Sequence, residues 1–465
     1  MNSAGSLVAS PKLMMMKKEA YVPRALAVLF SLSISLSAAF GETITFNAGA
    51  PEGMKRGRVG FLNSIKADVL PPEWITEIAP AIWRGGGGWN PDGIFDIYEY
   101  FTKKVGVKRV ILELGLNKGG NKGIPVDVAA EQMVAKAKQR GQSFDSIEIK
   151  NEPNLWSEKD PEKAKPDIAS APISLDEFMQ TVWIPAYRGI KRADPNANVF
   201  GPSISMVSKV LPNCREKLFA FIDAAIKSET LPEYINWHFQ DGYDIARSHT
   251  ELATEIRRYV AEKGVHIKGL AAGETIRPGD ERNTSPAVAI DVFAASEFAD
   301  MDQIHAAWSS TPVYGQKTSP EPVLGGLLTQ DHKGRRGVWW TYEYYAKTKG
   351  QRLNCQEGMS GSVNLVGLAF LDAGGKNVRA LVGARDGAKA QPGSVIRFEN
   401  ITKGAPYLIN KGKVRVRVLD NPQTESAVER LSPIFEGDLE LINNGVSVSA
   451  DIGKWGAVLV ELVAP

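Results

Sequence analysis

The order of apolar and polar residues from about Arg58 to Thr348 predicts alternating strands and helices. Short apolar runs of strand length are separated by longer stretches with helical spacing, such as Val126 to Arg140, as is typical of parallel βα units. The predicted strands are 57–62, 79–84, 107–114, the run ending at Asn151, 198–202, 234–239, the run ending at Glu274, and 303–308. Gly337 to Thr348 predicts a closing aromatic-rich helix. Eight strands fit an α/β fold, a (β/α)8 TIM barrel over residues 58–348.

After Gly350 the pattern changes to short alternating strands separated by turns. This pattern predicts a C-terminal antiparallel β-sandwich over residues 349–465. Within residues 42–57, the early strand Thr43 to Phe46 could join the same sandwich. Structural support is the simplest role for this domain, since its strands lack a clear aromatic platform for carbohydrate binding.

The N-terminal segment has the features of a secretory signal. Lys17, Lys18 and Arg24 precede the apolar run Ala25 to Phe40, and small residues follow at a candidate cleavage site near Gly41. We therefore expect residues 1–41 to be a signal peptide and the mature protein to be secreted or periplasmic. An uncleaved anchor is the alternative, although the run is short for a membrane span and contains four serines.

Composition excludes several classes of partner for the mature chain. Loss of residues 1–41 changes the net charge from +2 to −1. The mature chain then shows no concentration of positive charge that would bind nucleic-acid phosphates. The sequence has no other long apolar segment, so we expect no membrane contact after signal cleavage. The five histidines form no zinc motif, so neither a metal site nor a cofactor is expected. Cys214 and Cys355 could form a disulfide or remain buried thiols.

The segment Ser143 to Trp156, SFDSIEIKNEPNLW, carries the most specific chemistry. Its apolar residues alternate with polar ones, as in a half-buried strand, and Pro153 must end that strand because it has no N–H. Asn151 and Glu152 would then project from a strand's carboxyl end, where barrel enzymes carry their catalytic groups.

This segment resembles the acid/base segment of the retaining glycoside hydrolases of clan A, which are built on (β/α)8 barrels. The layout is most similar to the β-xylosidase and α-L-iduronidase family and its neighbours, which also carry a β-sandwich after the barrel. The resemblance implies that Glu152 is the proton donor and that Asn151 binds the sugar 2-hydroxyl.

A double-displacement mechanism needs a second carboxylate about 5–5.5 Å from the first. Val265 to Gly279 predicts a strand that presents Glu274 and breaks at Pro278. The clan places its nucleophile on the seventh strand, so the resemblance implies that role for Glu274. Many relatives have Thr or Ser before the nucleophile, whereas this chain has Gly273. Capping of a turn or pairing with Arg277 is the structural alternative for Glu274.

Further binding residues are implied at other strand ends. Arg84 ends the second predicted strand, where relatives carry an arginine that contacts the nucleophile, and such a cation would favour ionised Glu274. Gly85 to Gly88 and then Trp89 could let the backbone approach a sugar while the indole stacks on it. The glycines could equally form a plain flexible loop.

The sixth and eighth strands end in Trp237-His238 and Trp308. Relatives often have His followed two residues later by Tyr near the nucleophile, and Gln240 takes the second position here. The resemblance implies that His238 orients groups near Glu274 and that Trp308 forms the floor of the sugar subsite. The structural alternatives are a core histidine and core packing by the tryptophan.

These observations predict a secreted retaining glycoside hydrolase acting on an oligo- or polysaccharide without a cofactor. The alternatives are an endo-acting polysaccharidase of the same clan, of agarase or glucanase type, and a catalytically inactive carbohydrate-binding barrel. Polar insertions at 157–172 and 277–286 follow both predicted catalytic strands, and are expected to wall a pocket or a cleft. The sequence leaves open the sugar, the linkage, exo or endo action and the oligomeric state.

Overall fold

The structure of the protein is a computed structural model. Its described residues form two β-sheets. It describes residues 41–63, 70–86, 91–116, 123–153, 174–206, 213–239, 244–276, 284–307, 324–329 and 331–465. The predicted signal peptide therefore lies outside the described residues, except for Gly41.

The first sheet is a closed barrel of eight parallel strands within the described part of the chain. Its strands are β2 (Val59–Leu62), β3 (Ile82–Gly86), β4 (Arg109–Glu113), β5 (Ser146–Glu148), β6 (Val199–Met206), β7 (Tyr234–Phe239), β8 (Gly269–Thr275) and β9 (Asp302–His305). They lie in chain order, and β9 pairs with β2 to close the ring. The predicted mixed α/β fold with an eight-stranded barrel is confirmed. The strand before the Asn-Glu-Pro motif is short, so Glu152 lies four residues beyond its end.

Helices follow the barrel strands. They are α1 (Pro72–Glu77), α2 (Pro91–Glu99) continued by the π-helical turn Tyr100–Val105, α3 (Val126–Gln139), α4 (Leu175–Phe178) with the π-helical turn Met179–Trp183, α5 (Ile184–Ala193), α6 (Cys214–Lys227), α7 (Ile245–Glu262), α8 (Pro286–Ala299), the 3₁₀ turn Gly325–Leu327 and α9 (Gly337–Lys347).

Alternation along each strand divides the barrel's apolar residues between two cores. Ile82, Ile111 and Phe200 belong to a small apolar cluster formed by the barrel strands. Residues of the opposite parity, such as Ile147 and Trp83, belong to the larger cluster shared with the surrounding helices. A barrel strand is thus buried on both faces, and a polar residue that alternates with apolar ones can still lie inside.

The second sheet has ten strands in the described part of the chain and is antiparallel-rich. Its strands are β1 (Thr43–Met54), β10 (Gln351–Asn354), β11 (Leu365–Leu371), β12 (Asn377–Ala384), β13 (Gln391–Glu399), β14 (Ile409–Asn410), β15 (Lys413–Asn421), β16 (Ser432–Glu440), β17 (Val446–Ile452) and β18 (Ala457–Val463), with the short helices α10 (Gln356–Ser360) and α11 (Ile401–Gly404) and the 3₁₀ turn Pro406–Leu408 between them.

The predicted sandwich is present in a coarser form. The strands make one hydrogen-bonded sheet rather than two separate ones, and β1 pairs with β13 in parallel. Strands from both halves of the sheet, including β13 and β15, contribute side chains to a single apolar core. A sheet that curls over its own core buries one face in the way two stacked sheets do.

The helix α8 connects the two sheets. Nearly all of its side chains are buried, which is expected only for a helix covered on every side. It contacts α7 and β9 of the barrel and also β11 and β12 of the second sheet. The apolar cluster around the barrel accordingly includes Leu368 and Leu381, and Gly41–Pro465 forms one compact unit.

Two sequence questions are answered within the described residues. Cys214 and Cys355 are both buried free thiols, so they form no disulfide with each other. None of the described helices combines the length and apolar character needed to cross a membrane.

Candidate active site

The carboxyl ends of the barrel strands bring five of the predicted residues together. They are Arg84 in β3, Asn151 and Glu152 just after β5, His238 in β7 and Glu274 in β8. This is the end of a (β/α)8 barrel at which enzymes of this architecture carry their chemistry.

The other predicted residues cannot be placed. Trp89, Gln240 and Trp308 lie outside the described residues, as do 157–172 and 277–283. Their assignments as sugar-binding residues and subsite walls stay predictions.

Glu152 and Glu274 both lie close to His238. A ligand oxygen of each carboxylate and a ring nitrogen of the histidine all lie within 4.8 Å of one another. His238 Nδ1 is 3.0 Å from Glu152 Oε1 and 3.6 Å from Glu274 Oε2. The histidine is fully buried, whereas 29% of the Glu152 side chain is exposed. Two carboxylates this close leave no room for a water molecule between one of them and a sugar carbon.

Arg84 forms the base of this arrangement, with a side chain only 3% exposed. Its guanidinium binds Glu148 through two hydrogen bonds of 2.5 and 2.9 Å and donates to Asn151 Oδ1 at 2.5 Å. Glu274 and Glu113 each lie 3.7 Å away. Although burial opposes its charge, these carboxylates raise the pKa of Arg84 above its ordinary value. A permanent cation is therefore shared among three carboxylates.

The backbone around the two glutamates is locally irregular. Glu152 has a φ of +43°, a left-handed conformation that costs energy for a residue with a side chain. Gly273 is skipped in the pairing between β7 and β8, where Trp237 faces Ala272 and His238 faces Glu274. Such a bulge changes the direction of the residue that follows, here Glu274.

The packing around position 273 leaves room only for glycine. Its N–H donates to Asn236 Oδ1 at 2.9 Å, and a Cβ at this position would lie 2.4 Å from the same oxygen. Asn236 is buried and donates to Ser203 at 2.6 Å, so it cannot easily move. Glycine at 273 therefore fits against Asn236 where a larger residue would displace it.

Burial and hydrogen bonding act differently on the two carboxyls. Burial raises the pKa of Glu274, and nearby Glu152 raises it further against the opposing effect of His238. Burial also acts to raise the pKa of Glu152, but hydrogen bonds from His238 and Ser205 and the charge of Arg84 lower it overall. Without substrate, the negative charge of the pair is thus favoured on Glu152.

Three charged residues of this site were missed by sequence reasoning. Glu148 is completely buried and forms the bidentate pair with Arg84. Glu113 is the last residue of β4, and Lys150 interacts electrostatically with it. The sequence could have indicated the position of Glu148. If both faces of a barrel strand are buried, a glutamate between Ile147 and Ile149 must point into the barrel.

Glu152, His238 and Glu274 are also close enough to hold a metal ion. Two carboxylates and one imidazole are a possible donor set for a divalent cation. The same atoms are equally suited to acid–base and nucleophilic chemistry on an organic substrate.

The comparisons with known proteins agree with this architecture. Neither a family model nor a curated protein matches the sequence. Among solved structures, N2152 from Neocallimastix frontalis is similar with a TM-score of 0.72 at 18% identity, covering 92% of this chain and all of that one. A monomeric β-xylosidase from Caulobacter crescentus is similar with a TM-score of 0.59 at 15% identity, covering 91% of this chain and 100% of that one.

A xyloglucanase of glycoside hydrolase family 44 from Paenibacillus polymyxa is also similar, with a TM-score of 0.58 at 13% identity. That match covers 91% of this chain and 99% of the other. The protein thus has the fold of clan A glycoside hydrolases, barrel and second sheet together, and its family within that fold is not defined by these likenesses.

Proposed function

We propose that this protein is a retaining glycoside hydrolase that cleaves O-glycosidic bonds of an oligo- or polysaccharide. The observation that carries the proposal is the approach of Glu152 and Glu274 to within 4.8 Å at the carboxyl end of the barrel. Because this figure bounds the distance between one oxygen of each carboxylate, it agrees with the 5–5.5 Å typical of retaining enzymes better than with the roughly 6.5–9.5 Å of inverting ones. Fold likeness alone would not support it, because one fold hosts many activities.

In the proposed first step, Glu152 gives its proton to the glycosidic oxygen while Glu274 attacks the anomeric carbon. The bond to the leaving group breaks, and a covalent glycosyl ester forms on Glu274. Glu152, now ionised, then takes a proton from water, whose oxygen attacks the anomeric carbon and releases the sugar and free Glu274. Both carboxyls return to their starting protonation states.

Arg84 and His238 would support these steps without bond changes of their own. Arg84 lies 3.7 Å from Glu274, and its positive charge stabilises the ionised nucleophile. His238 would position both carboxyls, because its Nδ1 lies 3.0 Å from Glu152 and 3.6 Å from Glu274. Asn151, held by Arg84, is proposed to bind the sugar 2-hydroxyl.

The first step needs the proton on Glu152 and the charge on Glu274, the reverse of the distribution favoured without substrate. Carboxyls this close titrate as a pair rather than singly. Substrate binding must therefore move the proton within the pair, and separation of Glu152 from His238 by the entering leaving group would raise the pKa of Glu152. This account requires the pH dependence of kcat to differ from that of kcat/KM.

Endo action on a polysaccharide is a second candidate. It is favoured by the likeness to the family 44 xyloglucanase over nine-tenths of this chain. The likeness to the β-xylosidase favours exo action to a similar extent. Export is proposed from the N-terminal sequence alone, and N-terminal sequencing of protein from the culture medium or periplasm would test it by finding a start near Glu42.

A screen tests the proposed activity. The mature protein should release nitrophenol from at least one nitrophenyl glycoside or reducing sugar from at least one plant or algal polysaccharide. Glu274→Gln, which keeps shape and removes the charge, should abolish that activity. Equal activity in the variant would contradict the proposal. Sugar binding without any turnover would favour the inactive carbohydrate-binding barrel.

A further inference from the structure

Negative charge exceeds positive charge at the mouth of the barrel. Four carboxylates and two cations lie around the proposed reaction centre among the described residues. They are Glu113, Glu148, Glu152 and Glu274 against Arg84 and Lys150. The proposed mechanism uses Glu152 and Glu274, and Arg84 is already bound to Glu148.

Glu113 is the carboxylate without a role in that mechanism. It is the last residue of β4, in register with Gly86 of β3 and with Glu148 of β5. Its side chain is 12% exposed, whereas that of Glu148 is completely buried. Glu113 thus keeps a small exposed fraction and lies between β3, which carries Arg84, and β5, which leads to Glu152.

The groups that face Glu113 come from four strands. Arg84 lies 3.7 Å away, and Lys150 interacts with it from the segment after β5. Glu148, His238 and Glu274 also contribute to its electrostatic environment. Arg84 is shared with Glu148 and Glu274, and Lys150 interacts with Glu113, so two more carboxylates than cations remain around the proposed reaction centre and a further anion bound here would meet net negative charge.

We propose that Glu113 makes this site select uncharged glycosyl groups and reject glycuronides and other anionic sugars. The inference rests on the proposed glycosidase function and adds the charge class of the substrate. A charged side chain that repels ligands of the same charge is a recognised source of binding specificity. It also separates the two activities named in the family resemblance, because a xyloside is neutral and an iduronide is anionic.

The pH dependence of this selection follows from the same contacts. Burial, with Glu148 and Glu274, raises the pKa of Glu113 from 4.5 to about 7 against the opposing effect of Arg84. Glu113 gains its charge as pH rises through about 7. Discrimination against a glycuronide should therefore increase over that range and be smaller at pH 5.

The test compares nitrophenyl β-D-xyloside and β-D-glucoside with nitrophenyl β-D-glucuronide at pH 5 to 8. We expect kcat/KM for the better neutral substrate to exceed that for the glucuronide about 100-fold at pH 8. Glu113→Gln should reduce that ratio at least 10-fold and remove its pH dependence. Glu262→Gln, an exposed change at the far end of α7, is the charge-matched control and should leave the ratio unchanged.

A glucuronide hydrolysed as well as the neutral glycosides would overturn the inference and leave the proposed function intact. A ratio that is unchanged in Glu113→Gln would also overturn it. Binding is measured in parallel, as the shift in unfolding temperature with D-xylose, D-glucose or D-glucuronate. If glucuronate raises the unfolding temperature more than the neutral sugars do, the inference is overturned, whether or not any glycoside is hydrolysed. A failure to hydrolyse any glycoside would count against the proposed function instead.

Discussion

The two ends of the barrel use buried charge in different ways. At the amino end, Arg109 of β4 pairs with Asp145 at 3.0 Å and crosses to Asp302 of β9 at 2.7 Å. Its guanidinium also lies over the ring of Tyr234. One cation joins two carboxylates from non-adjacent strands, and such a network can hold the barrel closed.

At the carboxyl end, one arginine serves three carboxylates, and two of these have raised pKa values. Buried carboxylates in excess of their cations lower the stability of the folded state, so packing does not account for them. Departures from locally consistent structure are expected at functional sites, where strain and charge serve chemistry. The comparison supports a stabilising role for the amino end and agrees with the proposed catalytic role of the carboxyl end.

The largest expected effect is at the carboxyl end. Glu152→Ala should slow hydrolysis of substrates with poor leaving groups by about 100- to 10,000-fold, because they depend on protonation. Activated aryl glycosides need little protonation and should lose much less. Added azide should restore turnover by replacing the activated water. Equal losses on all substrates, with no response to azide, would remove Glu152 from the acid/base role.

The amino end should respond through stability instead. Arg109→Met would leave the buried Asp302 carboxylate without its partner, at a cost of about 3–5 kcal/mol in the free energy of unfolding. Activity per folded molecule should remain. Urea unfolding measures the first quantity and active-site titration the second. Arg192→Met, which removes two exposed ion pairs, should cost far less. Loss of activity in a stable Arg109→Met protein would break the distinction between the ends.

A change at the carboxyl end should reveal its electrostatic cost. Glu113 has a pKa of 4.5 when unfolded and about 7 when folded, so the folded state binds the proton more tightly and stability falls as pH rises between these values. Glu113→Gln should remove that fall, becoming more stable than the native protein by up to about 3 kcal/mol above pH 7. Unfolding temperatures from pH 4 to 8 measure it. A difference that is constant with pH would contradict the assigned cause.

The smallest expected effect concerns the bulge before Glu274. Gly273→Ala would place a methyl group against Asn236 Oδ1 and should cost about 1–3 kcal/mol of stability while displacing Glu274. The same methyl at Gly264, where space is open, tests only the cost of the left-handed backbone. We expect kcat to fall in the first variant alone. Normal kcat in Gly273→Ala would show that the bulge does not orient the glutamate.

The sequence predicted the barrel well because its strands are short apolar runs between turn residues. The strand Tyr234–Phe239 has the predicted bounds at both ends. The Asn151-Glu152-Pro153 motif located the right segment but not the last residue of its strand, which ends at Glu148, well before the proline. Local rules thus locate strands to within a few residues, and the candidate site lies just beyond them.

Other features depend on contacts that a single sequence does not define. Glu148 was missed because a polar residue in an alternating strand was assigned to solvent, whereas the barrel buries both faces. Gly273 is required by Asn236, which lies 37 residues earlier in the chain. The second sheet was expected as two layers, and its continuous pairing through β10 and β1 joins residues about 300 positions apart in the chain.

The central claim is that Glu274 attacks the sugar and forms a covalent intermediate. Once a substrate is known, the corresponding 2-deoxy-2-fluoro glycoside with a good leaving group should inactivate the protein in proportion to time. Peptide mass spectrometry should then find one fluorosugar on Glu274. A fluorosugar attached to Glu152 or to any other residue, or rapid hydrolysis of the substrate with inverted configuration and no label, would contradict the account.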